Sequence, residues 1–221
     1  MVMKRSIAGI ALGITVTLAA PLPSALGDTG SSSLSGGSGS SSLSGGSGSS
    51  SLSGGGELPP YSQWISEVQT VAAQARDYLT GALPGSNKPA IVFDIDNTVL
   101  ETQYNPSVIA PAMAPMLALA QWAKGQGAAI IFVTGRPALM NIYTQINLSA
   151  VGYPVDGLYG SPFTTLSAGS AGLQEYKTNA RIDIEGDGYT IVANIGNSAS
   201  DLAGGHAQQT FKLPDYDGAL S

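Results

Sequence analysis

Ala90-Ile91-Val92-Phe93-Asp94-Ile95-Asp96-Asn97-Thr98 is an apolar run that ends on two carboxylates. Four consecutive apolar residues fit a strand buried on both faces of a parallel sheet. Two further runs read the same way, Ala-Ala-Ile-Ile-Phe-Val at 128–133 and Thr-Ile-Val-Ala-Asn-Ile at 190–195. Weaker strands are expected at 155–159 and 209–213. Helical spacing fills the gaps. Trp64, Ile65, Val68, Val71, Ala72, Ala75 and Leu79 share one face of a helix over 61–83, which Gly85 and Pro89 end. Further helices are expected from Pro111 and Pro115 to Lys124, over 137–148 and over 175–185. Strands alternating with helices predict an α/β fold: a three-layer, Rossmann-like arrangement with a parallel central sheet and right-handed crossovers. Ligands of such sheets sit beyond the carboxyl ends of the strands, here just after Phe93, Val133 and Ile195.

Only part of the 221 residues reads as globular. Lys4 and Arg5 precede an apolar stretch at 7–20, and Ala25-Leu26-Gly27 supplies small residues, so residues 1–27 read as an export signal cut after Gly27. The stretch is short for a membrane-spanning helix, which needs about 20 apolar residues. Residues 28–56 repeat a nine-residue unit, Ser-Ser-Ser-Leu-Ser-Gly-Gly-Ser-Gly, from Ser31, from Ser40 and, as a variant, from Ser49. Too polar to collapse, this segment reads as a disordered tether with a reach of roughly 30 Å. Residues 57–221 then form one domain. No cysteine is present, so disulfides, cysteine-bound zinc and a lipid-bearing cysteine are excluded. Loss of Lys4 and Arg5 leaves 7 basic against 15 acidic residues, a charge of −8. Such a chain is a poor partner for nucleic acid or anionic membrane, and stable membrane insertion is not expected. An anionic substrate needs a local positive site against that field.

Each of the three strand ends carries polar groups. Asp94 and Asp96 stand two apart, so both carboxylates can point to one side. One can attack phosphorus while the other handles protons. A phosphate would approach them only with a cation, and Mg²⁺ prefers oxygen donors of this kind. The plain alternative is a turn with solvated acids. After Val133, Thr134-Gly135-Arg136-Pro137 offers a hydroxyl, backbone N–H groups and a guanidinium fork for phosphate, or else a simple helix cap with a surface arginine. After Ile195, Asn197 and Asp201 in Gly-Asn-Ser-Ala-Ser-Asp offer oxygen to a metal, or cap the next helix.

Taken in order, Asp-Ile-Asp-Asn-Thr, Val-Thr-Gly-Arg, Tyr176-Lys177 and Gly-Asn-Ser-Ala-Ser-Asp-Leu resemble the motifs of the haloacid dehalogenase (HAD) superfamily. Within it the chain resembles the subfamily IIIB acid phosphatases, which include secreted plant and bacterial members. The likeness covers roughly residues 60–215. It implies a HAD fold and hydrolysis of small phosphomonoesters with Mg²⁺ as cofactor. Asp94 would be the nucleophile that forms an aspartyl-phosphate. Asp96 would be the general acid/base, with its backbone carbonyl on the metal. Thr134, Gly135 and Arg136 would seat the phosphoryl group, and Lys177 would neutralise charge. Asp94, Asp96, Asn197 and Asp201 would hold the metal.

One position departs from the pattern. The family usually has Gly-Asp where this chain has Gly196-Asn197, so a metal ligand loses its charge and weaker Mg²⁺ binding is expected. Neither 98–134 nor 134–177 has room for a large cap domain, which implies an open site. Tyr104, Tyr159 and Phe163 are candidate rim residues but fit packing roles better. His206, the single histidine, is read as structural. The leading expectation is a secreted, extracellular phosphatase. The alternatives are a catalytically weak or inactive binding or storage protein on the same scaffold, and a surface-displayed adhesion module.

Overall fold

The computed structural model describes residues 58–220, so the expected export signal and tether lie outside it. Helix α1 (Tyr61–Ala82) turns Trp64, Val68, Ala72, Ala75 and Leu79 inward as one stripe. Strand β1 (Pro89–Phe93) follows, then a loop and α2 (Ala114–Gly125) with Pro115 in its first turn, where a missing N–H costs nothing. Strand β2 (Ala129–Pro137) leads through a 3₁₀ turn (Ala138–Met140) into α3 (Asn141–Ala150). Strand β3 (Gly157–Ser161), a second 3₁₀ turn (Phe163–Ser167), α4 (Gly169–Gly186) and β4 (Thr190–Gly196) come next. A one-turn helix α5 (Ala199–Leu202) and β5 (Gln209–Lys212) complete the order.

The five strands are all parallel, in the order β3-β2-β1-β4-β5. Their side chains alternate between two cores, as the pleat requires. Ile91, Phe93, Ile130 and Phe132 pack with α1 and α2, whereas Ala90, Val92, Ile131 and Val133 pack with Ala180 and Ile184 of α4. Helices therefore cover both faces, which gives the expected three layers.

Several boundaries differ from the sequence reading. Helix α3 begins at Asn141, after a 3₁₀ turn, rather than at 137. Helix α4 begins at Gly169 rather than near 175. Its first turns contain two glycines, which weigh against helix by propensity, yet Leu173 on that turn packs against Gly135 of β2. Strand β2 runs past Val133 because Thr134 and Pro137 still pair with Gly160 and Ser161. Strand β3 lies two residues later than expected. Between β1 and α2 the chain runs as a loop over residues 94–113, crossed by the Leu100–Ala112 pairing. Between β2 and α4 it holds α3, β3 and the second 3₁₀ turn, so no cap domain is inserted at either place.

Candidate active site

The parity of β1 decides where the first carboxylate points. Ala90 and Val92 face α4, and Asp94 continues that face just beyond the strand end. On α4 the buried stripe is Lys177, Ala180, Arg181 and Ile184, at spacings of three, four and seven. Lys177 is the end of that stripe nearest the strand tips. Its ammonium donates to Asp94 Oδ1 at 2.7 Å and also to Asp201 Oδ1. All three side chains are buried.

Asp201 reaches this point through backbone chemistry. It sits in the first turn of α5 and its Oδ2 accepts the Ser198 N–H at 2.7 Å, a capping contact that fixes the carboxylate. Gly196 makes the approach possible. A Cβ there would lie 2.4 Å from the Asp201 Cβ. Arg181 then holds the carbonyls behind the carboxylate: Nη1 donates to Asp201 O at 2.8 Å, Nε to Gly205 O at 2.9 Å, and Nη2 to Ala203 O. Asn194 adds a fourth tie, from Nδ2 to Asp201 O at 2.8 Å. Arg181 was absent from the sequence reading. The only signal for it was its place one helical turn after Lys177.

Burial pushes the Asp94 carboxyl up to about 7, and the Asp201 charge pushes the same way. The Lys177 ammonium opposes both without cancelling them. Burial works against the charge on Lys177, but Asp94 and Asp201 together hold its pKa well above the ordinary lysine value. The three side chains thus form one buried cluster of ion pairs.

Asp96 points to the rim, where Arg136 grips it with a fork, Nε to Oδ2 at 2.9 Å and Nη2 to Oδ1 at 2.7 Å. The guanidinium expected to meet phosphate is therefore turned onto the second carboxylate. Thr134 is fully buried, and its hydroxyl oxygen accepts the Arg136 N–H at 3.2 Å. At β2 the wall of the cavity is Gly135 rather than Thr134. That cavity, about 230 Å³, also takes in Asp94, Asp96, Lys177, Asn197 and Asp201. A larger cleft of about 360 Å³ between α1 and α2 holds Arg76 and otherwise uncharged residues.

The chemistry of the donor set suits a hard cation. Thr98 Oγ1 lies 3.1 Å from both Asp94 Oδ2 and Asn197 Oδ1, so those two oxygens converge on one point. Asp201 is joined to Asp94 through Lys177. Among the described residues no three His, Cys, Asp or Glu side chains gather to hold a metal. The set is two carboxylates and one amide oxygen, which fits Mg²⁺ because that ion keeps several of its waters. The amide is tied on its other side. Asn197 Nδ2 donates to Leu220 O at 2.6 Å, and Asn97 Nδ2 donates to the same carbonyl at 3.0 Å. Leu220 is buried and lines the cavity, so the C-terminal segment forms part of its wall.

The remaining candidates are packing or surface groups. Tyr104 stacks on Trp64 at 4.5 Å and donates to Pro59 O. Tyr159 packs in the α4-side core, and Phe163 is exposed. His206 pairs with Glu185 on the surface at 2.7 Å.

A parallel sheet of this order, with an acid pair after its first strand and a lysine and second acid beside it, defines a HAD-type phosphatase fold. The family model for HAD superfamily, subfamily IIIB (acid phosphatase) matches residues 106–219, a segment that begins after Asp94 and Asp96. Two Glycine max proteins, the stem 28 kDa and stem 31 kDa glycoproteins, are each 32% identical over 176 residues. The matches cover 69% of this chain and 68% and 60% of theirs, so the chain spans less than two thirds of the second relative. Among solved structures, the class C acid phosphatase from Bacillus anthracis superposes with a TM-score of 0.58, and its tungstate-bound form with 0.56. Both are 18% identical, covering 72% of this chain and 83% of theirs. The chain belongs to subfamily IIIB of the HAD superfamily, the acid phosphatases.

Proposed function

We propose that this protein is an exported, Mg²⁺-dependent phosphomonoesterase that works through an aspartyl-phosphate. The observation that carries this reading is the buried Asp94–Lys177–Asp201 cluster, opening on one cavity with Asp96 at its rim. An Asp94 oxygen attacks phosphorus, and the bond from phosphorus to the leaving oxygen breaks. Asp96 gives that oxygen a proton, so an alcohol departs. Asp96 then takes a proton from water as the water oxygen attacks phosphorus, and the Asp94 carboxylate is released with inorganic phosphate. Lys177 offsets the charge of the phosphoryl group and of Asp94. Arg136 holds Asp96 in place, and the Gly135 backbone closes the phosphate seat, with Thr134 buried behind it. Mg²⁺, held by Asp94, the Asp96 carbonyl, Asn197 and Asp201, would neutralise the phosphate so that a carboxylate can approach it.

The open mouth favours small phosphomonoesters of varied leaving group. Tungstate is a tetrahedral oxyanion, and its presence in the Bacillus anthracis structure supports a phosphate-sized site here. The basic, then apolar, then small-residue pattern of residues 1–27 supports export. Among the described residues no helix is long and apolar enough to cross a membrane.

Hydrolysis of p-nitrophenyl phosphate by the purified protein tests the reaction, with Mg²⁺ and with chelator. Asp94→Asn should lower turnover by at least roughly 10⁴-fold with the fold intact by circular dichroism. Undiminished turnover in that variant would falsify the nucleophile assignment. One feature favours a second reading, an inert binding or storage protein: Asn197 brings no charge, and its amide nitrogen is committed to Leu220. That reading requires phosphate binding by calorimetry with no hydrolysis under any metal condition.

A further inference from the structure

Helix α3 has two apolar faces, and the domain uses one of them. Leu148 is buried inward, with Thr144 and Asn147 beside it. On the outer side lie Ile142, Tyr143 and Ile146, the last four and three residues on from the first two, and Leu139 in the preceding 3₁₀ turn is exposed just before them. Met140 flanks them. The loop after β1 extends the same surface with Val108 and Ile109. Tyr143 Oη donates to Val108 O at 3.0 Å, and Asn147 exchanges two hydrogen bonds with Ala110, at 3.0 and 2.9 Å. A cleft of about 290 Å³ between Val108, Met140 and Tyr143 joins loop and helix. These seven apolar side chains are between 40 and 79% exposed.

The surface carries little charge: the cleft is lined by one charged residue, Arg136, which is paired with Asp96. Of the chain's 24 charged residues, only Lys124, Arg136 and Asp156 fall between positions 102 and 174. Those three are engaged, Arg136 on Asp96 and Lys124 on Asp156. At 40 to 79% exposure the seven side chains together present several hundred Å² of largely apolar surface, the scale of the largest apolar patch of a typical monomer, about 300–600 Å² and often functional. A standard interface takes roughly 800 Å² from each partner.

We propose that this face binds a second copy of the chain, α3 against α3 across a two-fold axis. Size is one argument, and charge is the other. A chain of net charge −6 repels its own copies over most of its surface. This face lets two copies meet without opposing carboxylates. A single apolar stripe on a helix is self-complementary, as a two-fold contact requires. A membrane is the weaker occupant, because amphipathic surfaces that settle on bilayers carry lysine and arginine at their polar edge, and both cations near this one are paired.

The full chain should sediment at twice its monomer mass across micromolar to hundred-micromolar concentrations. Leu139→Glu and Ile142→Glu, alone or combined, should halve that mass with melting temperature and circular dichroism unchanged. Phe163→Glu, an exposed apolar site on a different element, should remain dimeric. A wild-type protein that sediments as a monomer throughout overturns the proposal, as does an Ile142→Glu protein that stays dimeric. Flotation of a monomeric wild type with neutral phosphatidylcholine vesicles, lost in Ile142→Glu, would assign the face to a bilayer instead and equally overturn it.

Discussion

Asn197 gives its amide nitrogen to the Leu220 carbonyl and receives the Thr98 hydroxyl on its amide oxygen. An aspartate there could make only the second contact, and would set an oxygen against the Leu220 carbonyl. Asn197→Asp should therefore act in two directions. Without metal it should lose about 1–3 kcal/mol, which lowers the melting temperature by several degrees. With Mg²⁺ the added charge should tighten binding, so the activation curve moves to lower concentration. Equal metal-free melting and an unmoved activation curve would together remove Asn197 from both roles. Asp94 makes a separate claim. Its raised pKa means that the metal-free protein holds a proton there up to about pH 7. Mg²⁺ must displace that proton, so its apparent affinity should weaken as pH falls below that value, by about tenfold for each unit. The stability that Asp94 contributes to the metal-free fold runs the opposite way: present below its unfolded value of 3.8, lost as pH rises through about 7. Calorimetric Mg²⁺ titrations on either side of neutrality check the binding, and chelated melting curves check the stability.

Among the elements, α5 is one turn long and carries a carboxylate on which the site depends. A helix that short has no stability of its own. Its position comes from Arg181, Asn194 and the close contact at Gly196. Gly196→Ala would drive a methyl group into Asp201, so it should cost about 1–3 kcal/mol and withdraw the acid from Lys177. The check is a fall in melting temperature together with lost Mg²⁺ protection; an unchanged Mg²⁺ response would show that α5 is held some other way. Elements of this kind mark where sequence reading stops. β1, β2 and β4 were legible because continuous apolar runs leave few other conformations, and they carry Asp94 and Asp201 to one side of the sheet. Lys177 was legible only through its motif order. The fork from Arg136 to Asp96 was not, since a guanidinium after Thr-Gly reads equally well as a phosphate ligand. Neither was the early start of α4, where Leu173 on Gly135 outweighs two glycines. Leu220 belongs to no motif, and nothing in its neighbours announces that its carbonyl would serve two asparagines 23 and 123 residues away.

At the scale of the whole molecule, charge and apolar surface are segregated. Acidic residues collect just after β1 (Asp94, Asp96, Glu101), along α4 and its end (Glu175, Asp183, Glu185, Asp187) and in the C-terminal segment, while the charged residues of 102–174 are only Lys124, Arg136 and Asp156. The reactive groups sit where these regions meet, at the carboxyl edge of the sheet. The last residues close that edge like a stitch, since one carbonyl fastens the loop after β1 to the loop after β4. Lys212 adds to the seam through the Asn197 and Leu213 carbonyls and Asp215. Trimming from the end by an exopeptidase should then act as an off-switch. Mass spectrometry during limited carboxypeptidase digestion should show activity vanishing as Leu220 is removed, with every carboxylate still present. Full activity after digestion past Asp215 would mean that the seam is ornamental. A protein wired in this manner would have its working life set by how long its tail survives.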